Sequence, residues 1–167
     1  MATEEDIGKH KVEVTAIRIA KVNAAVSLTM FNESIDVINV NEILGKADVV
    51  LDGLDNFTTR RIVAAACCDL NIPFIHGAIA GFYGQIMTIF PGDQGIVAVC
   101  GSSTSAETSG IEAIMGNLPA TPSAVAAWQV QEVIKIITGI GHPIRHRLLL
   151  LDFENNKVDD LPLPEAQ

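Results

Sequence analysis

The strongest constraint on the fold lies between Ala47 and Arg61, where an apolar, β-branched run over Ala47 to Leu51 is released at Gly53 and gives way to a helical pattern over Thr58 to Asp69. A strand that is apolar nearly throughout is one covered on both faces, which means a parallel sheet flanked by helices. At the carboxyl end of such a strand, side chains open into the crevice where ligands bind. Asp55 and Asn56 stand there. Both are also helix-capping residue types, so the residues alone leave two readings, chemistry at the strand end or a cap on the helix that follows.

The rest of the chain continues the alternation of strand and helix. Ile7, Val14, Ile17, Ile19, Ala20 and Val22 recur at helical spacing and predict a helix from about Glu5 to Val22. Val26 to Phe31 alternates as a strand does. Ile38 to Leu44 reads as a short helix ended by Gly45, and Pro73 to His76 as a strand. Glycines 77, 81 and 84 then punctuate a turn into a strand over Gln85 to Phe90, or serve to let backbones pass closely. From Gly101 to Gly110 the composition shifts to Ser, Thr, Glu and Gly with no apolar period, which reads as a loop. The clearest helix is Pro122 to Thr138, with Val125, Trp128, Gln129, Val133, Ile136 and Ile137 on one broad face and Gly139 as its stop. Arg147 to Phe153 and Lys157 to Leu161, around Glu154-Asn155-Asn156, read as a terminal hairpin. With 167 residues, 49% of them hydrophobic, and no repeat or linker, residues 1–167 are expected to form a single α/β domain.

Charge and cysteine usage exclude several functions. Twenty acidic against 11 basic residues give a net charge of -9, the wrong sign for a nucleic-acid-binding surface. No apolar run approaches the roughly 20 residues of a membrane-spanning helix, and Met1 to Lys11 is polar, so neither a signal peptide nor an anchor is expected and a cytoplasmic location is the default. Three cysteines, Cys67, Cys68 and Cys100, contain no CxxC pair and do not make a disulfide framework. Cys67 and Cys68 beside Ala64 to Ala66 suit core filling.

The segment Asp55-Asn56 with Arg60 five positions after the aspartate resembles the strand-turn-helix signature of the ThiF/MoeB/HesA family, the bacterial relatives of ubiquitin-activating enzymes. The resemblance continues upstream in Gly8-Lys9-His10-Lys11-Val12-Glu13 with Asn23. Downstream it runs through Gly77-Ala78-Ile79-Ala80-Gly81-Phe82-Tyr83-Gly84-Gln85-Ile86-Met87 and Met115-Gly116-Asn117-Leu118-Pro119 to the strand Leu148 to Phe153, in order and covering nearly the whole chain. It implies a Rossmann-like, three-layer, mostly parallel sheet with antiparallel C-terminal strands. It also implies ATP-dependent adenylylation of the C-terminal glycine of a small ubiquitin-like sulfur-carrier protein, with magnesium, by a homodimer. In that scheme the carrier's carboxylate attacks the α-phosphorus and no protein nucleophile is required. Lys11 matches the lysine that contacts phosphates and Asp55 the aspartate beside magnesium and triphosphate, with Asn56 and Arg60 completing the nucleotide-binding signature. Arg60 is expected to steer the carrier's carboxylate or to brace Asp55, since guanidinium pairs bidentately with carboxylate. Lys11 also suits a solvated helix face with Lys9 and Lys21, and Arg60 a helix surface.

The chain departs from the family pattern in three places. The family's opening strand, glycine-rich turn and helix are expected before Met1, so that the first β-α-β unit is lacking here. The first of the two CxxC pairs that hold structural zinc in many members would fall at Ile96 and Val99, and no zinc is expected. Members that form a persulfide or thioester use a cysteine in a crossover loop, where this chain has Ala106-Glu107-Thr108-Ser109-Gly110. Cys100 precedes that loop by several residues. The helix Pro122 to Thr138 and the segment Gly81 to Phe90 are candidates for the carrier-docking and dimer surfaces, and the alternative expectation is a truncated, non-catalytic carrier-binding or dimerisation module of the same family. A dehydrogenase lacks its dinucleotide fingerprint and its acid-base dyad. His76, at a strand end before Gly77, suits either a general base or a satisfied structural histidine. His10, His142 and His146 have no metal-ligand spacing.

Overall fold

The computed structural model describes residues 3–100, 116 and 118–163, and the chain divides into two compact units, Met1–Ile35 and Asp36–Gln167. In the first unit, Glu4–Asp6 makes a single 3-10 turn in which the Asp6 carboxylate accepts from both the Thr3 amide and the Thr3 hydroxyl, at 2.9 and 2.8 Å. Helix α1 follows at Lys11–Val22. The helix expected from Glu5 is therefore interrupted, and the cause is Gly8 at φ +87°, a left-handed conformation that no helix contains. The strand expected over Val26 to Phe31 is not formed. Alternating side chains make a strand only where a neighbour completes the backbone ladder, and among the described residues this segment has no ladder partner.

The second unit holds, in order, α2 (Val40–Leu44), β1 (Val50–Leu51), α3 (Phe57–Asp69), β2 (Phe74–Ala80), β3 (Tyr83–Ile89), α4 (Gly95–Cys100), α5 (Ala120–Thr138), β4 (Arg147–Asp152) and β5 (Lys157–Pro162). The sheet order is β1-β2-β3-β4-β5. Val50 lies opposite Phe74 and Leu51 opposite Ile75 in a parallel pair with α3 as the crossover. The three remaining ladders are antiparallel. The expected order, a parallel part running into antiparallel C-terminal strands, is thus present, and the parallel part among the described residues is the single β1–β2 ladder. Beyond the two residues of β1, the Asp52 amide still donates to the Ile75 carbonyl at 2.9 Å, so the strand's pairing continues one step toward the turn.

Side-chain alternation along β2 and β3 separates two faces. Helix α5 covers one, over a buried cluster of Ile86, Val125, Ile144, Leu149 and Leu151 with Ile79 and Trp128 packed against it. Helix α3 covers the other, where Val63, Ala66 and Cys67 are buried with Phe74 and Val40. The result is three layers. Gly77 and Gly84 lie inside β2 and β3, and the reversal between these strands comes at Gly81-Phe82. The reason both strands carry glycine is α5. A Cβ on Gly77 would stand 2.5 Å from the Gln129 amide nitrogen, and one on Gly84 would stand 2.6 Å from a Val125 methyl.

The buried stripe of α5 is Thr121, Val125, Gln129 and Glu132, narrower and more polar than the face expected from sequence, and Ile137 is 65% exposed. Each buried polar side chain finds a partner, as burial requires. Thr121 donates to the Gly81 carbonyl at 2.8 Å. Glu132 accepts from the Thr88 hydroxyl at 2.8 Å and the Ile144 amide at 2.7 Å. The six-residue α4 has no counterpart among the elements expected from sequence. The expected loop at Gly101 to Gly110 lies outside the described residues.

Candidate functional site

The turn from β1 into α3 is built on a buried carboxylate. Asp52 directly follows β1 and is 3% exposed. Its Oδ2 accepts from Arg60 Nε at 2.6 Å and sits 2.7 Å from His76 Nδ1, while its Oδ1 accepts from the Leu54 amide at 3.0 Å. Arg60, one turn into α3 and 2% exposed, also donates from Nη2 to the Leu54 carbonyl at 2.6 Å. From the opposite layer, Gln129 Nε2 donates to the Asp52 and Ile75 carbonyls at 2.9 and 3.1 Å. One helix on each side of the sheet therefore reaches the end of β1. The charge of the Asp52–Arg60 pair cancels locally, which is the condition for burying it.

The tautomer of His76 follows from its neighbours. Gln85 Nε2 lies 2.9 Å from His76 Nε2, and an amide nitrogen only donates, so Nε2 accepts and Nδ1 carries the proton given to Asp52. Burial pushes the His76 imidazole below its ordinary pKa, against the upward pull of Asp52. A folded state that holds this histidine neutral binds fewer protons than the unfolded chain. Stability from this group is therefore full above the unfolded value near 6.5 and is lost as pH falls below it. The thermal midpoint of His76→Gln is expected to fall less steeply than that of the native chain from about pH 7 to about pH 5. Equal slopes in the two proteins would remove His76 from the titration.

The expected site residues are placed differently from one another. Asn56 is the N-cap of α3, its Oδ1 accepting from the Thr59 amide at 2.8 Å. Asp55 is exposed and, among the described residues, makes only a hydrogen bond from Asn56 Nδ2 at 3.1 Å, so the cap does not consume it. Arg60 is not a surface arginine and does not pair directly with Asp55: it is buried against Asp52, because Asp52 is the carboxylate that the sheet has taken out of water and that needs a counter-charge. Lys11 is exposed at the first position of α1, in the first unit. A cation there opposes the helix dipole, so helix stability does not account for it. His76 is the satisfied structural histidine. Cys67 is buried, with its thiol pushed up to about 11 by burial, and is inert as a nucleophile at neutral pH. The Cys100 side chain and the loop Ala106 to Gly110 lie outside the described residues. Among the described residues no group of three or more His, Cys, Asp or Glu side chains could hold a metal ion, and no helix is long and apolar enough to cross a membrane.

Sequence reasoning missed Asp52 and Glu132, and it placed Gln129 on the packed face of the long helix without a polar role. The available signal was a lone polar side chain inside an apolar run or on an apolar helix face, the position where an unpartnered polar group is most costly.

Comparison with known proteins bears on this turn and its sheet together. The ThiF family model matches residues 1–167, and the chain belongs to the ThiF family. It is 30% identical over 159 residues to the SAMP-activating enzyme E1 of Haloferax volcanii, covering 95% of this chain and 59% of that one. To the sulfur carrier protein ThiS adenylyltransferase of Escherichia coli it is 31% identical over 165 residues, covering 98% of this chain and 65% of the relative. The chain thus spans about six-tenths of the length of these two curated relatives. Among solved structures it resembles the microcin C7 biosynthetic enzyme MccB in complex with N-formylated MccA, with a TM-score of 0.83 at 19% identity over 99% of this chain and 52% of the other. The complex of E. coli MccB with ATP gives a TM-score of 0.81 at 20% identity. At such identities the likeness establishes the fold alone.

Proposed function

We propose that this chain belongs to an adenylyltransferase that uses ATP and magnesium to adenylylate the C-terminal glycine of a small ubiquitin-like sulfur-carrier protein, releasing pyrophosphate. The observation that carries this reading is Asp55. It stands exposed at the carboxyl end of β1, relieved of capping by Asn56 and set on a turn built around a buried ion pair. A carboxylate held this way is a preorganised charge at the position where open α/β sheets bind ligands. The names of the relatives, which activate SAMP or adenylylate ThiS, supply the substrate class.

Asp55 suits magnesium chemically. One oxygen takes the Asn56 amide, the other is unengaged among the described residues, and exposed carboxylate oxygen is a donor that this hard cation accepts. Magnesium bound there would neutralise charge on the triphosphate. Assignment of Lys11 to the phosphates rests on the family resemblance alone. The carrier's own carboxylate is the nucleophile, so the absence of an activated thiol among the described residues does not weigh against the reading. Carrier docking and homodimer formation are assigned to the outward side of α5, where Val130, Ile134 and Ile137 are exposed, and to Phe82 and Tyr83 at the β2–β3 reversal. A cytoplasmic location follows from the need for ATP and a carrier.

The test is isotope exchange between pyrophosphate and ATP with the chain extended at its amino terminus to the length of its relatives, magnesium and ubiquitin-like carriers ending in a free glycine. Exchange that appears only with a carrier, together with a carrier adenylate seen by mass spectrometry, is the expected result. Carrier binding without exchange would replace this reading with the non-catalytic module of the same family.

A further inference from the structure

We infer that Asp52 and Arg60 are positioning residues for Asp55, acting by gripping both backbone polar groups of Leu54, the residue immediately before it. The inference rests on the adenylyltransferase reading above. The Leu54 amide donates to Asp52 Oδ1 at 3.0 Å, Arg60 Nη2 donates to the Leu54 carbonyl at 2.6 Å, and Arg60 Nε joins the two side chains through Asp52 Oδ2 at 2.6 Å. These contacts close a ring around one residue. The Leu54 carbonyl belongs to the peptide unit that carries the Asp55 nitrogen, so holding it sets the plane from which Asp55 departs. On the other side the Asn56 cap fixes the entry to α3. Asp55 is thereby held from both directions while its side chain stands in solvent.

The turn has little else to hold it. A Cβ built on Gly53 would meet no atom within 4 Å, so packing does not confine the backbone there. The grip is polar, and its base is fixed in turn by His76 on Asp52 Oδ2 and by Gln129 on the Asp52 carbonyl. Arginine is the residue that can make it, because two donors on one rigid fork reach a carboxylate and a carbonyl in different directions. A lysine presents its donors from a single nitrogen. Asp52 is 3% and Arg60 2% exposed, so neither side chain is open to a ligand and the effect must travel through the position of Asp55.

Arg60→Lys, Asp55→Ala and the double variant, compared in carrier-dependent exchange, test this. Misplacement of a reacting group by about 1 Å costs up to about a hundredfold in rate. Arg60→Lys is therefore expected to lower kcat about tenfold or more while leaving the KM for ATP nearly unchanged. The double variant should be no slower than Asp55→Ala alone, since a residue that acts through Asp55 has nothing to act on once that carboxylate is gone. Native kcat in an Arg60→Lys protein whose thermal midpoint has dropped would overturn the inference, and so would losses that multiply in the double variant. Failure of the underlying reading is recognised separately, by native exchange in Asp55→Ala. Should Arg60→Lys not fold, the matched pair Asp52→Leu with Arg60→Met, which removes the grip and leaves no uncompensated ion, carries the same comparison.

Discussion

Asp55→Ala is expected to lower carrier-dependent ATP–pyrophosphate exchange about a hundredfold, the on-the-order-of-3-kcal/mol loss that follows removal of one preorganised electrostatic contact. It should do so with little change in the thermal midpoint, because Asp55 is exposed and, among the described residues, its one hydrogen bond is to the neighbouring Asn56 side chain. Asn56→Ala is the paired control. It removes the acceptor for the Thr59 amide and should lower stability by about 1 kcal/mol. Measured on the same preparations, exchange rate and midpoint should therefore move in opposite members of the pair. An Asp55→Ala protein that exchanges at the native rate would defeat the site assignment.

The largest loss of stability is expected from Asp52→Ala. It leaves the Arg60 guanidinium, 2% exposed, without its carboxylate, and strands the donors of His76 Nδ1 and the Leu54 amide. Breaking a buried pair from one side costs about 3–5 kcal/mol, a large part of the roughly 5–15 kcal/mol that holds a domain folded. Urea denaturation of the native chain and the variant measures it directly. Removing both charges at once, in Asp52→Leu with Arg60→Met, should cost less than Asp52→Ala, since no uncompensated ion remains. A double variant as unstable as Asp52→Ala would mean that the loss comes from packing and not from the orphaned charge.

The strand-turn-helix at Ala47 to Asp69, the long helix closed by Gly139 and the terminal hairpin were legible because each is marked locally, by an apolar run, a helical period or turn chemistry. Val26 to Phe31 shows the limit of that reading, since alternation is a property of the segment and pairing a property of its neighbours. Arg60 shows it again. Its spacing from Asp55 was visible, yet which of two aspartates it meets depends on which one the sheet buries, and that is decided by β2 and by Gln129, 77 residues from Asp52. For Gly77 and Gly84 the sequence leaves open a turn or a close approach; close approach holds, and what decides it is a helix some 40 residues further along the chain.

The buried polar patch beneath the turn has a consequence for how sequences of this kind can drift. Asp52, Arg60, His76, Gln85 and Gln129 each satisfy another member of the group or the backbone beside it, so one replacement strands a partner whereas a matched replacement of both partners need not. Change at these five positions should be accepted in pairs or larger sets. Asp55 stands outside the group, so its loss should cost the fold little, and on the adenylyltransferase reading a descendant without catalysis would keep the scaffold beneath it.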